Sequence, residues 1–130
     1  MRSKESMLRL HRFKVEDKRR QVAEIEFMIS DMEAKVTEFN KQIELEEKRT
    51  GVGDINHFNY SMTAKSIRVR GDNIKKSVCD LAEQLEKAKV ELSEEEAELR
   101  KIELLAHKSG GQVQTAPELK PVMPGIGVRI

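Results

Sequence analysis

The chain has 130 residues, a formal net charge of +1, and 36% charged residues. This charge density, with four Phe, one Tyr and no Trp, excludes a thick globular core and favours long solvated helices. The small net charge argues against a general nucleic-acid-coating protein, and the lone Cys79 excludes an internal disulfide or a cysteine metal cluster. No apolar run approaches the roughly 20 residues that cross a bilayer, so we expect no membrane insertion.

A seven-residue repeat predicts a first helix over about residues 4–49. One series of the repeat is apolar throughout: Leu8, Val15, Val22, Ile29, Val36 and Ile43. The other series is polar at first and then apolar: His11, Lys18, Ile25, Met32, Phe39 and Glu46. This 3.5-residue period is typical of helices that wind around each other left-handedly. We interpret the two series as the seam of a coiled coil, with Met28 as additional filling.

Basic side chains cluster around the start of this helix, at Arg9, Arg12, Lys14, Arg19 and Arg20. Two interpretations fit them: a nucleic-acid surface, or the solvated, charged end of a coiled coil. A third interpretation, a basic end that docks on an acidic protein surface, is compatible with the coiled coil. A nucleic-acid surface usually has a basic net charge and interleaved aromatic residues, and this chain has neither. The coiled-coil interpretation is therefore preferred.

Residues 50–60 are predicted to form a loop. Gly51 is a natural helix stop, and Asn59 or Ser61 can cap the helix that follows. Large apolar residues are unexpected in a solvated loop, yet this one holds Val52, Ile55, Phe58 and Tyr60. They either close the end of the coiled coil or form a docking tip, in which Ile55 and Phe58 are the candidate contacts.

A second helix is predicted over residues 61–108, with spacings that alternate between four and three. Its large seam residues are Ile67, Ile74, Val78, Leu81, Leu85, Leu92, Leu99 and Ile102, and Gly71 and Glu95 are weak points. Residues 109–130 hold all three prolines and four of the seven glycines. Because proline interrupts helices, we predict a separate flexible tail there, with an apolar end able to dock.

Charge favours antiparallel pairing of the two helices within one chain. Residues 1–20 carry +5 and would lie beside residues 89–108, which carry −2. Residues 21–48 carry −5 and would lie beside residues 61–88, which carry +2. A parallel homodimer would instead place like charges together, which disfavours it. The register stays open by one heptad, with either His11 or Lys18 opposite Glu95.

The predicted fold is therefore an all-α, long antiparallel two-helix coiled-coil hairpin over residues 1–108. With this hairpin, the segments SMLRLHRFKVEDKRRQVAEIEFMI (6–29) and RTGVGDINHF (49–58) resemble the FliJ family of flagellar type III export proteins. The resemblance covers about residues 1–106, and its distinctive parts are these two segments. The tail departs from the family, in which continued charged helix is expected.

The resemblance implies a non-enzymatic stalk-like rod in the ring of the export ATPase. It also implies contacts with the cytoplasmic domain of the export gate and with export chaperones, at the cytoplasmic face of the inner membrane. The basic end would then face the ATPase ring. No cofactor or metal is expected, because His11, His57 and His107 have no ligand partners at helical spacing. The alternative function is a structural coiled-coil spacer unconnected to secretion.

Overall fold

The computed structural model describes residues 2–110 and is entirely helical apart from one connection. Helix α1 spans Arg2–Thr50 and helix α2 spans Met62–Gly110, so both have 49 residues. The helices were expected at 4–49 and 61–108. Three of these four ends extend one or two residues further, and α2 begins one residue later than predicted. The predicted tail lies almost wholly outside the described residues.

The two helix ends at the connection are closed by local hydrogen bonds. Gly51 has a φ of 75°, the left-handed conformation that glycine adopts without strain, and its N–H donates to the Glu47 carbonyl at 2.8 Å. Ser61 is the cap of α2, because its Oγ accepts the N–H of Ala64 at 3.1 Å. Of the two capping candidates, Ser61 is thus the one that the structure uses.

The two helices pack against each other in antiparallel orientation, as predicted. Their contacts group into two compact units. One is formed by the described residues up to Asp17 with those from Leu92 onward, and the other by Lys18–Glu91. In the first unit, Arg12 pairs with Glu103 at 3.6 Å. In the second unit, Lys18 donates to Glu91 at 2.8 Å. Each pair joins the basic start of α1 to the acidic end of α2, in agreement with the charge argument.

The predicted seam residues are all buried or half-buried. In the first unit Val15 is only 2% exposed. In the second unit Ile43, Tyr60, Ala64 and Ile67 form a buried cluster against which Phe39 and Val52 pack. The interpretation of Met28 as seam filling is wrong, because this side chain is exposed.

Gly71, one of the two expected weak points, lies buried in the seam. A Cβ built at this position would meet only the Phe39 ring, at 3.8 Å from Cδ2. The absence of a side chain therefore leaves room beside Phe39 that a methyl group would fill.

Candidate protein-docking surfaces

A network of polar side chains joins the connection to both helices in the second unit. The Tyr60 hydroxyl donates to Glu47 Oε2 at 2.5 Å and accepts from Arg68 Nε at 2.9 Å. Arg68 also donates to the same Glu47 oxygen at 2.9 Å, so three groups from α1, the connection and α2 meet at one point. We call Glu46, Glu47, Tyr60, Ser61 and Arg68 the turn clamp.

The rest of the turn clamp is centred on Glu46. Its Oε1 accepts from the Ser61 hydroxyl at 2.9 Å, and Arg49 donates to both of its carboxylate oxygens. Hydrogen bonds from Arg49 and Ser61 lower the pKa of Glu46 below 4.5, and those from Tyr60 and Arg68 lower the pKa of Glu47. Both carboxylates are therefore held in their ionised form, which can accept all of these bonds.

The loop is ordered by bonds among its own residues. Asp54 accepts the N–H of Asn56 at its Oδ1 and the N–H of His57 at its carbonyl, both at 3.0 Å. His57 accepts the N–H of Asn59 at Nδ1 and the N–H of Tyr60 at its carbonyl, both at 3.0 Å. These bonds fix the path of the chain between Gly51 and the cap of α2.

The four apolar side chains of this loop form two pairs, one packed against the seam and the other exposed. Tyr60 is only 6% exposed, and Val52 packs against the buried cluster, so these two close the end of the seam. Phe58 is 89% exposed and Ile55 is 42% exposed. The Phe58 ring stacks on the imidazole of His57 with centroids 4.8 Å apart, which holds it in place without burying it. We call Ile55, His57 and Phe58 the tip surface.

A groove of 240 Å³ lies beside Ile55 in the same unit. Apolar atoms come from Phe39, Ile43 and Val69. Charged groups at the groove are Lys65, Arg68, Asp72 and Lys75, so the lining is basic overall. Together with the tip surface, the groove can accept an apolar side chain from an acidic segment of another protein.

The predicted basic docking residues are all exposed. In the first unit, Arg9 and Lys14 are exposed, and Arg12 reaches the exposed Glu103 in a pair that contributes little stability. In the second unit, Arg19 and Arg20 are exposed as well, and both make interactions within the protein. The structure thus leaves the basic side chains at the start of α1 accessible.

Sequence reasoning missed the apolar side chains on the outer helix faces. Phe27 is 73% exposed, in a surface depression with Arg20 and Met28, and Val90 occupies a comparable position on α2. Both lie five residues after a seam position, on the side of the helix that faces away from the partner helix. A helical-wheel projection could have identified them, because bulky apolar residues are unusual there in a solvated coiled coil.

Other chemical sites are few in the described part of the chain. Cys79 is a free, exposed thiol. Residues 2–110 contain no group of three His, Cys, Asp or Glu side chains placed to hold a metal ion. Neither described helix has a stretch long and apolar enough to cross a membrane.

Comparison with known proteins adds no assignment. No family model, no curated protein and no solved structure matches this chain.

Proposed function

We propose that this protein is a non-enzymatic component of the flagellar type III export apparatus. In this role it acts as a stalk-like element in the export ATPase ring and as an adaptor to the export gate and to export chaperones. It works in the cytoplasm, peripherally at the cytoplasmic face of the inner membrane. The resemblance of residues 6–29 and 49–58 to the FliJ family motivates the assignment to flagellar export.

The observation that carries an adaptor function is the exposed tip surface. A loop that only connects two helices has no need of an exposed aromatic ring. Here Phe58 is 89% exposed on a loop whose own hydrogen bonds and His57 stacking hold it in one position. Rigid, exposed aromatic side chains are the usual anchors of protein interfaces, because little conformational entropy is lost when they bind.

The second candidate function is a structural spacer, favoured by the regular seam. A spacer needs its length and its seam, and exposed residues of the tip are replaceable. An export adaptor needs those exposed residues. The two functions therefore differ in how they respond to substitutions that leave the seam intact.

The test is a gene deletion complemented with single variants and scored for filament assembly and swimming. We expect the deletion to abolish swimming and Phe58→Ser to impair it at least tenfold, with helicity by circular dichroism unchanged. Val90→Ser is the matched control, since Val90 is also exposed and apolar but does not line the groove beside Ile55, and the effect of this variant should be smaller. Pull-down of the export ATPase and of the gate domain by each variant then identifies the partner that the tip contacts.

Normal swimming of the deletion strain would reject the export assignment. Normal swimming with Phe58→Ser, in a strain that needs the protein, would instead reject the tip surface and favour the spacer. Reversal of the basic end, by Arg9→Glu with Arg12→Glu, tests the ATPase contact in the same strains.

A further inference from the structure

The groove beside Ile55 has the size of a site for one side chain of a partner. Its apolar walls are Phe39 and Ile43 of α1, Ile55 of the loop and Val69 of α2, all in the second unit. Its volume of 240 Å³ lies below the range of about 300 to 1,000 Å³ that is typical of small-molecule sites. The groove therefore suits one large side chain of a protein better than a cofactor.

Gly71 keeps this groove open. It is buried at a seam position in the interior of α2 and lines the groove. A Cβ at this position would lie 3.8 Å from Cδ2 of Phe39, so a methyl group fits there and would occupy part of the space. Alanine would also suit the helix better than glycine does. The fold alone thus gives no reason for a glycine at this position, whereas an open groove does.

Cationic side chains flank the apolar walls. Lys65 and Lys75 are exposed, and neither forms an ion pair with the residues that the structure describes. Arg68 is already bound within the turn clamp, so the two lysines carry the charge that a partner would meet. One carboxylate, that of Asp72, lines the groove as well. The groove therefore keeps a net positive charge, which attracts an acidic partner.

We propose that this groove binds an acidic amphipathic helix of a partner protein, which inserts one large apolar side chain beside Gly71. Docking of a helix suits a groove whose walls come from two neighbouring helices. Lys65 and Lys75 are ten residues apart, or about 15 Å along the axis of α2. One acidic residue about a turn before the inserted side chain and another about a turn after it can therefore reach the two lysines. The inference rests on the adaptor function proposed above, and it adds the chemical class of the partner.

Peptide selection on the full-length protein tests this partner class. The probe is a displayed library of random peptides of about 16 residues, a little over four helical turns. We expect enriched peptides to carry a leucine, phenylalanine or tryptophan with an acidic residue about four positions to either side. The best of them is then labelled with fluorescein, and its affinity is measured by anisotropy. Absence of enrichment, or enrichment of basic peptides, would overturn the proposal.

Variants of the groove are then tested with the labelled peptide. Gly71→Ala should weaken binding about threefold to tenfold while it stabilises the fold, because its methyl group fills part of the groove. A purely structural role of Gly71 would change the stability and leave the affinity as it was. Lys65→Glu with Lys75→Glu should weaken binding about tenfold or more. Lys76→Glu is the matched control, since Lys76 is exposed but does not line the groove, and it should leave the affinity nearly unchanged.

The outcomes separate this inference from the export function. Unchanged affinity of either groove variant would reject the groove as the binding site, and displacement of the peptide by an oligonucleotide would favour nucleic acid as the partner. Both measurements use the purified protein, so their failure leaves the export assignment to the complemented strains. Normal swimming of the deletion strain would conversely reject the export assignment without altering the affinity for the peptide.

Discussion

Gly71→Ala should stabilise the protein, because a glycine stands where the helix and the seam both favour a methyl group. Glycine in a helix interior is about 1 kcal/mol less favourable than alanine, since it loses more backbone freedom on folding. The new Cβ would meet Phe39 Cδ2 at 3.8 Å, which is an ordinary van der Waals distance. Gly71 is also buried, so part of the added methyl group leaves water. The expected gain in the free energy of unfolding is about 1 to 1.5 kcal/mol.

Urea denaturation followed by circular dichroism measures this gain. A difference of about 1 kcal/mol moves the midpoint by about 0.5 M urea, or Tm by about 4 °C, for a chain of this size. Gly51→Ala is the matched control, because it is the same chemical change with the opposite expected sign. Gly51 has a φ of 75° and nothing within 4 Å of its would-be Cβ, so its substitution changes only backbone strain. We expect a loss of about 1 to 2 kcal/mol there.

A lower urea midpoint for Gly71→Ala would refute the reasoning. It would mean that α1 and α2 approach more closely at Gly71 than the 3.8 Å contact indicates, and that glycine is needed there to admit Phe39. Stabilisation by both substitutions would show that the effect arises in the unfolded chain alone.

Three further predictions concern polar groups in the seam and the turn clamp. Tyr60→Phe should lower the free energy of unfolding by about 1 to 2 kcal/mol in urea titrations, because it removes the hydroxyl shared by Glu47 and Arg68. Tm should fall on acidification, because the pKa values of Glu46 and Glu47 are lower in the folded protein than the unfolded value near 4.5. The stabilisation by these two carboxylates is therefore complete above the unfolded pKa, and it is lost as the pH drops through the folded pKa values. His11→Leu should raise the urea midpoint by the equivalent of about 1 kcal/mol, because Nδ1 of His11 is buried without a hydrogen-bond partner among the described residues.

The first two of these predictions have a control variant in the same chain, and the third has an outcome that would contradict it. Tyr60→Ala should cost about 3 to 5 kcal/mol, so a similar loss for Tyr60→Phe would mean that packing rather than the hydroxyl was disturbed. Glu47→Gln should flatten the dependence of Tm on pH, and an unchanged slope would assign the titration to other carboxylates. A lower urea midpoint for His11→Leu would contradict this prediction, and it would mean that the imidazole makes a stabilising hydrogen bond, for example to water.

The seam was predictable because its information is local and repeated. An apolar residue every 3.5 positions identifies the buried face of each helix without knowledge of the other helix. Gly51 marked the end of α1 for a similar reason, because a left-handed residue closes a helix wherever it occurs. The burial of Gly71 also follows from the repeat, although its use as a space beside the Phe39 ring does not.

The turn clamp could not be predicted in the same way, and neither could the separation of the apolar loop side chains into buried and exposed ones. Glu47, Tyr60 and Arg68 lie in separate elements, and only the fold brings their polar atoms within 3 Å of one another. The apolar loop residues have similar hydrophobicity, so composition cannot tell the buried Tyr60 from the exposed Phe58. The register of the two helices was ambiguous because successive heptads are nearly equivalent. Several different registers would each bring oppositely charged residues together, so a pair such as Lys18–Glu91 could not be singled out from the sequence.

The turn clamp also bears on the order in which the protein assembles. Its Tyr60–Glu47 bond closes a segment of 13 residues, whereas the Lys18–Glu91 bond closes one of 73. The entropy of loop closure favours the shorter one by about 1.5 kcal/mol. Folding should therefore nucleate at the turn and zip outward, so that amide protons beside Tyr60 become protected from exchange first in a refolding experiment.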